Sequence, residues 1–580
     1  MKSPFHFGPA TRALFGWYHP PRAEVSLGVG IVLCNTLGKE SIGAAPRILL
    51  LLAERLAEAG FAVLRFDFYG TGDSAGDSSG KDGGSDRVAT WLEDIDLAIE
   101  ELRARGAIGK IGLVGLRLGG TLAMAAAARR CDVDSLVLWN PYFNGKKYVT
   151  ETTRQHKAFE ALLDVPRKLK EIEVDGREAL GFFLSAATLA ELEKIDLLAL
   201  GGSPARRVLV ISPGGGTQNR EGNALIDGLR AIGTDSDHQI LDNSLNRTIQ
   251  LLEPRDRERI TEKIATWIAA HYGTAEMTAM PSPASSRPAV SASTHEEPFL
   301  FGEGDSLFGI LTSPAGGVRS GGRPAIITAV NRLGPHRLYV RMAREWAKLG
   351  FPVFRVDLTG SGDSVRAGEV EQDPYPRRAI SDLQEAMTLL NKRFSVNRFI
   401  IAGICSGADI AFQAGIRDHR VIGTVLMNPR SFSLHNIPAL ETLVRAHQVE
   451  TTVLAAKTWR KLLRGAFTLG DVKVKIAEFA TAAKLRVRLK LTAPAVGDVS
   501  TGFRQLAQRG VDTLLVVRER DVGVSYVDIH FGRQMRALER LKGYRRIDLK
   551  DVDHLFTSLY AQDLVLKTIT EHLTRHHPAS

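Results

Sequence analysis

Apolar and polar positions along the chain alternate short hydrophobic runs with longer amphipathic stretches, and the pattern occurs twice. In the first half, Val29 to Cys34, Ala62 to Asp67, Ile111 to Val114 and Ser135 to Trp139 predict buried strands. Between them, Ala44 to Ala59, Trp91 to Arg105 and Thr121 to Arg130 predict helices. The second half repeats the order with strands at Ala325 to Ala329, Val353 to Asp357, Phe399 to Ala402 and Val421 to Met427, and helices at Leu338 to Leu349 and Ala379 to Arg393. Near-continuous apolar strands separated by helices predict an α/β fold, a mostly parallel sheet covered on both faces. Both halves then break the pattern with a helical insertion, about 144–204 and 432–491, and resume at Val208 to Ser212 and Thr513 to Val517. That order predicts a helical lid set late into each sheet.

The duplication is also written in residues. Gly60-Phe61-Ala62-Val63-Leu64-Arg65-Phe66-Asp67 followed by Gly70-Thr71-Gly72-Asp73-Ser74 returns as Gly350-Phe351-Pro352-Val353-Phe354-Arg355-Val356-Asp357 followed by Gly360-Ser361-Gly362-Asp363-Ser364. Asp94 then matches Asp382, Gly115 matches Gly403, and Asn140-Pro141 matches Asn428-Pro429. We expect two domains, 1–273 and 299–580, joined by a flexible linker at 274–298 that is rich in Pro, Ser and Ala. A chain of 580 residues is too long for one core, which agrees. A formal charge of +10 without an extended basic run does not point to nucleic acid. The three cysteines, Cys34, Cys131 and Cys405, are far apart, which argues for a reducing compartment and against a disulfide framework or a metal site. Met1 to His6 lacks the apolar core of a signal peptide, and no apolar run is long enough to span a membrane, so the expectation is a cytoplasmic protein.

One stretch carries the chemistry. Gly403-Ile404-Cys405-Ser406-Gly407 lies between a predicted strand and a helix-compatible segment, the context of a nucleophile elbow. The glycines keep strand and helix from colliding, and the centre, usually Ser, is Cys405. With the Phe-Asp-x-x-Gly-x-Gly-Asp-Ser run, this elbow makes both halves resemble the α/β-hydrolase superfamily in its serine aminopeptidase-like branch. In the second half, Leu333-Gly334-Pro335-His336-Arg337 and Gly403-Ile404-Cys405 also resemble the exosortase A system-associated hydrolases. That group tends to place Cys at the elbow, but the chain continues with Ser406-Gly407 instead of an acidic residue and Ala.

The resemblance implies a triad in the chain order nucleophile, acid, His. Asp521, after Leu514 to Val517, falls in the acid slot, and His554, after Tyr544 to Lys550, falls in the His slot. Glu519, Asp551 and Asp553 compete with Asp521. An oxyanion hole is expected from the N–H of Ser406 and one near Asn331 or Arg332. The first half has Arg117 at its elbow, Pro213-Gly214-Gly215-Gly216 in the acid slot and Leu245-Asn246-Arg247 near the His slot. An arginine cannot serve as nucleophile, so the first domain reads as a pseudo-hydrolase, with Arg117 either an anion site or a surface residue. Lys457, Arg460, Lys461, Arg464 and six further cations from Lys473 to Lys490 crowd the second lid and suit either an anionic substrate or a solvated face. The expected partner is a small acyl ester or thioester, with carrier- and CoA-linked acyl groups among the candidates. No cofactor and no metal is implied. Acyl transfer through an acyl-Cys intermediate, or a non-catalytic scaffold, are the alternatives.

Overall fold

The computed structural model describes residues 2–22, 26–41, 44–80, 86–106, 108–163, 175–214, 216–241, 253–272, 289–290, 294–364, 366, 369–434, 496–519, 521 and 538–579. The first half builds one sheet from β1 (Ser3–Phe7), β2 (Leu14–His19), β3 (Val29–Cys34), β4 (Ala62–Phe66), β5 (Lys110–Leu116) and β6 (Ser135–Trp139). After the insertion, which contains a small separate hairpin, β7 (Gly176–Ala179) and β8 (Phe182–Ser185), the sheet is completed by β9 (Arg207–Ser212) and β10 (Asp235–Ile240). Its order is β1-β2-β4-β3-β5-β6-β9-β10, parallel from β4 onward.

The second half repeats that order with β12 (Thr294–Phe301), β13 (Leu307–Pro314), β14 (Ala325–Thr328), β15 (Val353–Asp357), β16 (Phe399–Ile404), β17 (Val421–Met427), β18 (Asp512–Arg518) and β19 (Tyr544–Leu549). A two-residue β11 (Ala289–Val290) is added at its edge, and the order is β11-β12-β13-β15-β14-β16-β17-β18-β19. Both domains are therefore mostly parallel α/β sheets of one topology.

Alternation of side chains across each strand explains the two-sided burial. From β3, β4, β5 and β9, Val32, Leu64, Leu113 and Val210 turn to one face and pack with α2 (Arg87–Ala104) and α3 (Leu118–Arg130). Their neighbours Leu33, Val63, Val114 and Leu209 turn to the other, against α1 (Ala44–Glu58) and α7 (Pro254–Ala269). α4 (Gly145–Leu163) and α5 (Ala186–Lys194) belong to the insertion, and α6 (Thr217–Ala231) packs on β9 and β10. In the second domain, Ile401, Leu426 and Leu515 face α9 (Ala379–Phe394), α10 (Ser406–Arg417) and α11 (Val496–Gln508). Ile400, Val425 and Leu514 face α8 (Leu338–Lys348) and α12 (Leu559–His576). Each such aliphatic side chain contributes about 1.5–3 kcal/mol by leaving water.

Three expectations need correction. The antiparallel pairs β1–β2 and β12–β13 were not expected, because β2 is buried along its whole length and shows no alternation to read. Residues 294–298 of the expected linker lie in β12, and 289–290 form β11; the remainder of 274–298 is outside the described residues. The first insertion is not all helical, since it carries the β7–β8 hairpin between α4 and α5. Nearly all of the second insertion, with its basic residues from Lys457 to Lys490, lies outside the described residues.

The two domains meet through equivalent parts. Phe15 and Phe308, each donating its N–H to the serine of its own Gly-x-Gly-Asp-Ser loop, stack at 6.0 Å. Arg65 pairs with Asp363 at 2.7 Å, and its counterpart Arg355 pairs with Asp73 at 2.5 Å. Reciprocal contacts of this kind mark a two-fold-like, self-complementary interface. Arg332 adds bonds to Asp73 at 2.7 Å and Asp357 at 2.5 Å. Within each loop the half-buried Asp67 or the buried Asp357 accepts the N–H of Asp73 or Asp363 at 3.0 Å, so the loops close on themselves and aim their last aspartate at the other domain.

Candidate active site

β16 runs to Ile404, the chain reverses, and α10 begins at Ser406. Cys405 sits on the turn with φ 60° and ψ −121°, a conformation costly for a side-chain-bearing residue and typical of functional positions. The surroundings hold it there. The N–H of Cys405 bonds the Met427 carbonyl at 2.9 Å, and the N–H of Ile404 bonds the Tyr339 hydroxyl at 2.9 Å. A Cβ on Gly403 would lie 2.1 Å from the Gly407 carbonyl oxygen, so strand and helix can approach this closely only with glycine there. The half-buried Cys405 thus stands at the N-terminus of α10, at the C-terminal edge of the parallel strands, where open α/β sheets bind ligands.

His554, from the loop between β19 and α12, stands near enough to Cys405 for the two to interact electrostatically. Its Nδ1 lies 2.8 Å from Oδ2 of Asp521, a buried carboxylate just past β18 that also accepts from Arg518 Nε at 3.2 Å. Burial alone would lower the imidazole pKa; the bond to Asp521 and the nearby Cys405 outweigh it and lift the value from the ordinary 6.5 to about 10. The three expected residues, separated by up to 149 positions, are therefore brought together, whereas Asp553 is spent on the N–H and hydroxyl of Thr557 at 2.7 Å each. Glu519 faces Lys550 at 3.7 Å, and Asp551 takes a left-handed turn with φ 57°.

Two residues missed in the sequence hold this arrangement. Asn428 donates to the His554 carbonyl at 2.7 Å and accepts the Arg518 N–H at 2.8 Å, tying the His loop to the acid strand. Asp409 on α10 accepts the N–H groups of Arg430, Ser431 and Phe432 and the Tyr375 hydroxyl, fixing the loop after β17. Burial raises Asp409 to about 6 against these bonds. The repeat carried the signal for Asn428, since Asn140 matches it.

The oxyanion expectation divides. Among the described residues the Ser406 N–H has no acceptor, as an oxyanion donor requires. Arg332 does not fit: its N–H is held by Asp357 at 2.8 Å, and its guanidinium is spent on Asp73, Asp357 and Asp363 at the domain interface. The Asn331 side chain accepts the Leu333 N–H at 2.9 Å, which shapes the loop after β14.

In the first domain Arg117 occupies the elbow with nearly the same backbone, φ 54° and ψ −123°. It is neither an open anion site nor a surface residue. Its buried guanidinium meets Glu40 at 3.0 Å and Glu151 at 3.4 Å, bonds the Tyr142 hydroxyl, and lies over that ring at 4.3 Å. A cavity of about 50 Å³ beside it is lined by Glu40, Tyr69, Tyr142 and Tyr148 among others. Residues 245–247, near the first domain's His slot, lie outside the described residues.

Topology and elbow together define a tandem α/β-hydrolase fold. The serine aminopeptidase S33 family matches the chain over residues 46–182 and 323–466, once in each half, and this match supports an α/β-hydrolase enzyme. Solved structures similar to the chain include mouse alpha/beta hydrolase domain-containing protein 10, 17% identical over 46% of this chain and 99% of that one with a TM-score of 0.32. Est1E from Butyrivibrio proteoclasticus, solved with ferulic acid bound, is 17% identical over 46% of this chain and 98% of its own, TM-score 0.33. An esterase of Pyrococcus furiosus is 14% identical over 47% of this chain and 92% of its own, TM-score 0.33. No curated protein matches the chain. Among the described residues no helix is long and apolar enough to cross a membrane, and no group of His, Cys, Asp and Glu could hold a metal ion.

Proposed function

We propose that the second domain hydrolyses a small acyl ester or thioester through Cys405, His554 and Asp521, and that the first is a pseudo-hydrolase. The observation that carries this is the Asp521–His554 hydrogen bond beside Cys405, which sits on a strained turn. The likeness of Leu333 to Arg337 and of the Cys elbow to the exosortase A system-associated hydrolases is part of the same reading. We draw the domains at 1–273 and from β12 onward.

In this mechanism His554 takes the thiol proton, and the sulfur attacks the acyl carbonyl carbon. The oxyanion forms against the Ser406 N–H, with Asn331 on the facing loop as the second donor. Collapse expels the alcohol or thiol, which leaves with the proton held by His554, and the acyl group remains on sulfur. Water then gives its proton to His554 and attacks the acyl-Cys; the acid departs and the proton returns to sulfur. Asp521 keeps the imidazole oriented and stabilises its charged form throughout.

The test is turnover of a panel of acyl thioesters and oxygen esters by the full chain, with and without an added amine or sugar. Free acid in every case supports hydrolysis, and an acylated acceptor would reassign the site to transfer. No turnover of any ester, with Cys405 intact, would remove the enzymatic reading.

A pH dependence follows from His554. Its pKa in the folded site, about 10, lies above the ordinary 6.5, so the folded state favours the imidazolium. The stability this contributes is complete below about 6.5 and is lost as pH rises through about 10. For an oxygen ester, whose alkoxide must leave protonated, kcat/KM is expected to fall above pH of about 10. A pH profile that declines only well below that value would contradict the assignment.

A further inference from the structure

The first domain has lost its own nucleophile, yet its insertion reaches the loops that build the other domain's site. The reach is made by the tip of the β7–β8 hairpin, where Leu180 and Gly181 take positive φ of 50° and 86°. Glu178, just before the tip, accepts the Gly181 N–H at 3.2 Å and the N–H of Leu559, first residue of α12, at 3.0 Å. Gln562 Nε2 bridges the carbonyls of Gly181 at 3.2 Å and Thr557 at 3.1 Å, while its Oε1 is held by Arg341 at 2.7 Å. A Cβ on Gly181 would stand 2.3 Å from the Thr557 carbonyl oxygen and 3.1 Å from the His336 Cβ. The tip therefore touches two loops at once. One carries His554, three residues before Thr557; the other follows Asn331 and the β14 edge. Phe182 meets the His336 ring edge-on at 6.3 Å.

The His loop is thus clamped from two sides. Asn428 holds the His554 carbonyl from within its own domain, and the hairpin from the other holds the Leu559 N–H directly and meets Thr557 through the shared Gln562 amide. A loop left free at one end loses the fixed geometry on which proton transfer depends.

We propose that the β7–β8 hairpin is a positioning element of the second domain's site, with Glu178 and Gly181 fixing the loop that presents His554. This rests on the catalytic reading above, and it gives the pseudo-hydrolase domain a reason to be retained. Partial burial raises the Glu178 pKa to about 7; the two N–H bonds oppose it, and Glu160 and Asp553 push it the same way. Both protonation states keep an oxygen to accept the Leu559 N–H, so the hold does not depend on its charge.

The experiment compares wild type with Glu178→Ala, Gly181→Ala and Glu178→Gln in the full chain. It measures site-resolved iodoacetamide labelling of Cys405 against the exposed Cys131, hydrogen exchange over 555–559, and kcat and KM on a reactive thioester. Expected for Glu178→Ala and Gly181→Ala is a Cys405 labelling rate and a kcat lower by roughly 10²-fold, with KM within about 2-fold and faster exchange at 555–559. Glu178→Gln, which keeps an acceptor oxygen, is expected to recover most of the loss. Wild-type rates in Glu178→Ala, or a Glu178→Gln as impaired as Glu178→Ala, would overturn the proposal while leaving the catalytic reading intact. Wild-type Cys405 no more reactive than Cys131 would instead overturn both.

Discussion

Replacing Cys405 with Ala is expected to lower kcat/KM for thioester hydrolysis by on the order of 10⁴-fold, with overall stability little changed. In the proposed mechanism the thiol makes the covalent bond, and no neighbour on this turn could take over, since Ser406 is already helical and is assigned its N–H role. Cys405→Ser should also fall steeply. A hydroxyl does not ionise beside an imidazole as a thiol does, and the nearby Cys405 is part of what holds His554 charged. Steady-state kinetics on a reactive thioester checks both variants; a Cys405→Ala enzyme within tenfold of wild type would place the chemistry elsewhere.

The second large effect lies far from the sulfur. Asp73→Ala is expected to destabilise the protein by about 3 kcal/mol, because it takes a shared carboxylate from two buried arginines and leaves Arg355 only the Glu296 carboxylate at 3.3 Å. Asp73 and Arg355 are fully buried and Arg332 is nearly so, and the carboxylate accepts from Arg355 at 2.5 Å and Arg332 at 2.7 Å. Burial alone would raise the Asp73 pKa, but the two guanidinium groups outweigh it and leave the value below the ordinary 3.8. Its contribution to stability is therefore present above that range and lost as pH falls through the lowered value. A thermal melt at neutral pH should show the destabilisation, with partial recovery when Arg355→Met is added to Asp73→Ala. A shift worth less than about 1 kcal/mol would mean that the network is not what joins the domains.

These two residues also show how far the sequence could be read. Cys405 was legible because an elbow is local, five residues between a strand and a helix. Asp521 and His554 were legible because fold order assigns each a slot after a given strand. Arg332 was misread for the opposite reason. Its position after β14 suited an oxyanion donor, but Asp357 holds its N–H and its guanidinium also reaches Asp73, 259 positions away in the other copy. Arg117 likewise looked open or exposed until Glu40 and Glu151, supplied by a loop and by α4, closed around it. Asn428 was visible as a repeated Asn-Pro, but its task depends on a carbonyl 126 residues further on. Interactions within one strand–turn–helix unit left a pattern in the chain; those between units, and above all between domains, did not.

The central claim is that sulfur, imidazole and carboxylate act as one unit. It is tested most directly by site-resolved labelling of the full chain with a thiol-reactive probe at neutral pH, in wild type and in His554→Ala. The account predicts fast labelling of Cys405, well ahead of the exposed Cys131, and suppression of that advantage when His554 is removed. Cys405 left unlabelled in the folded protein, or labelled equally fast without His554, would contradict it.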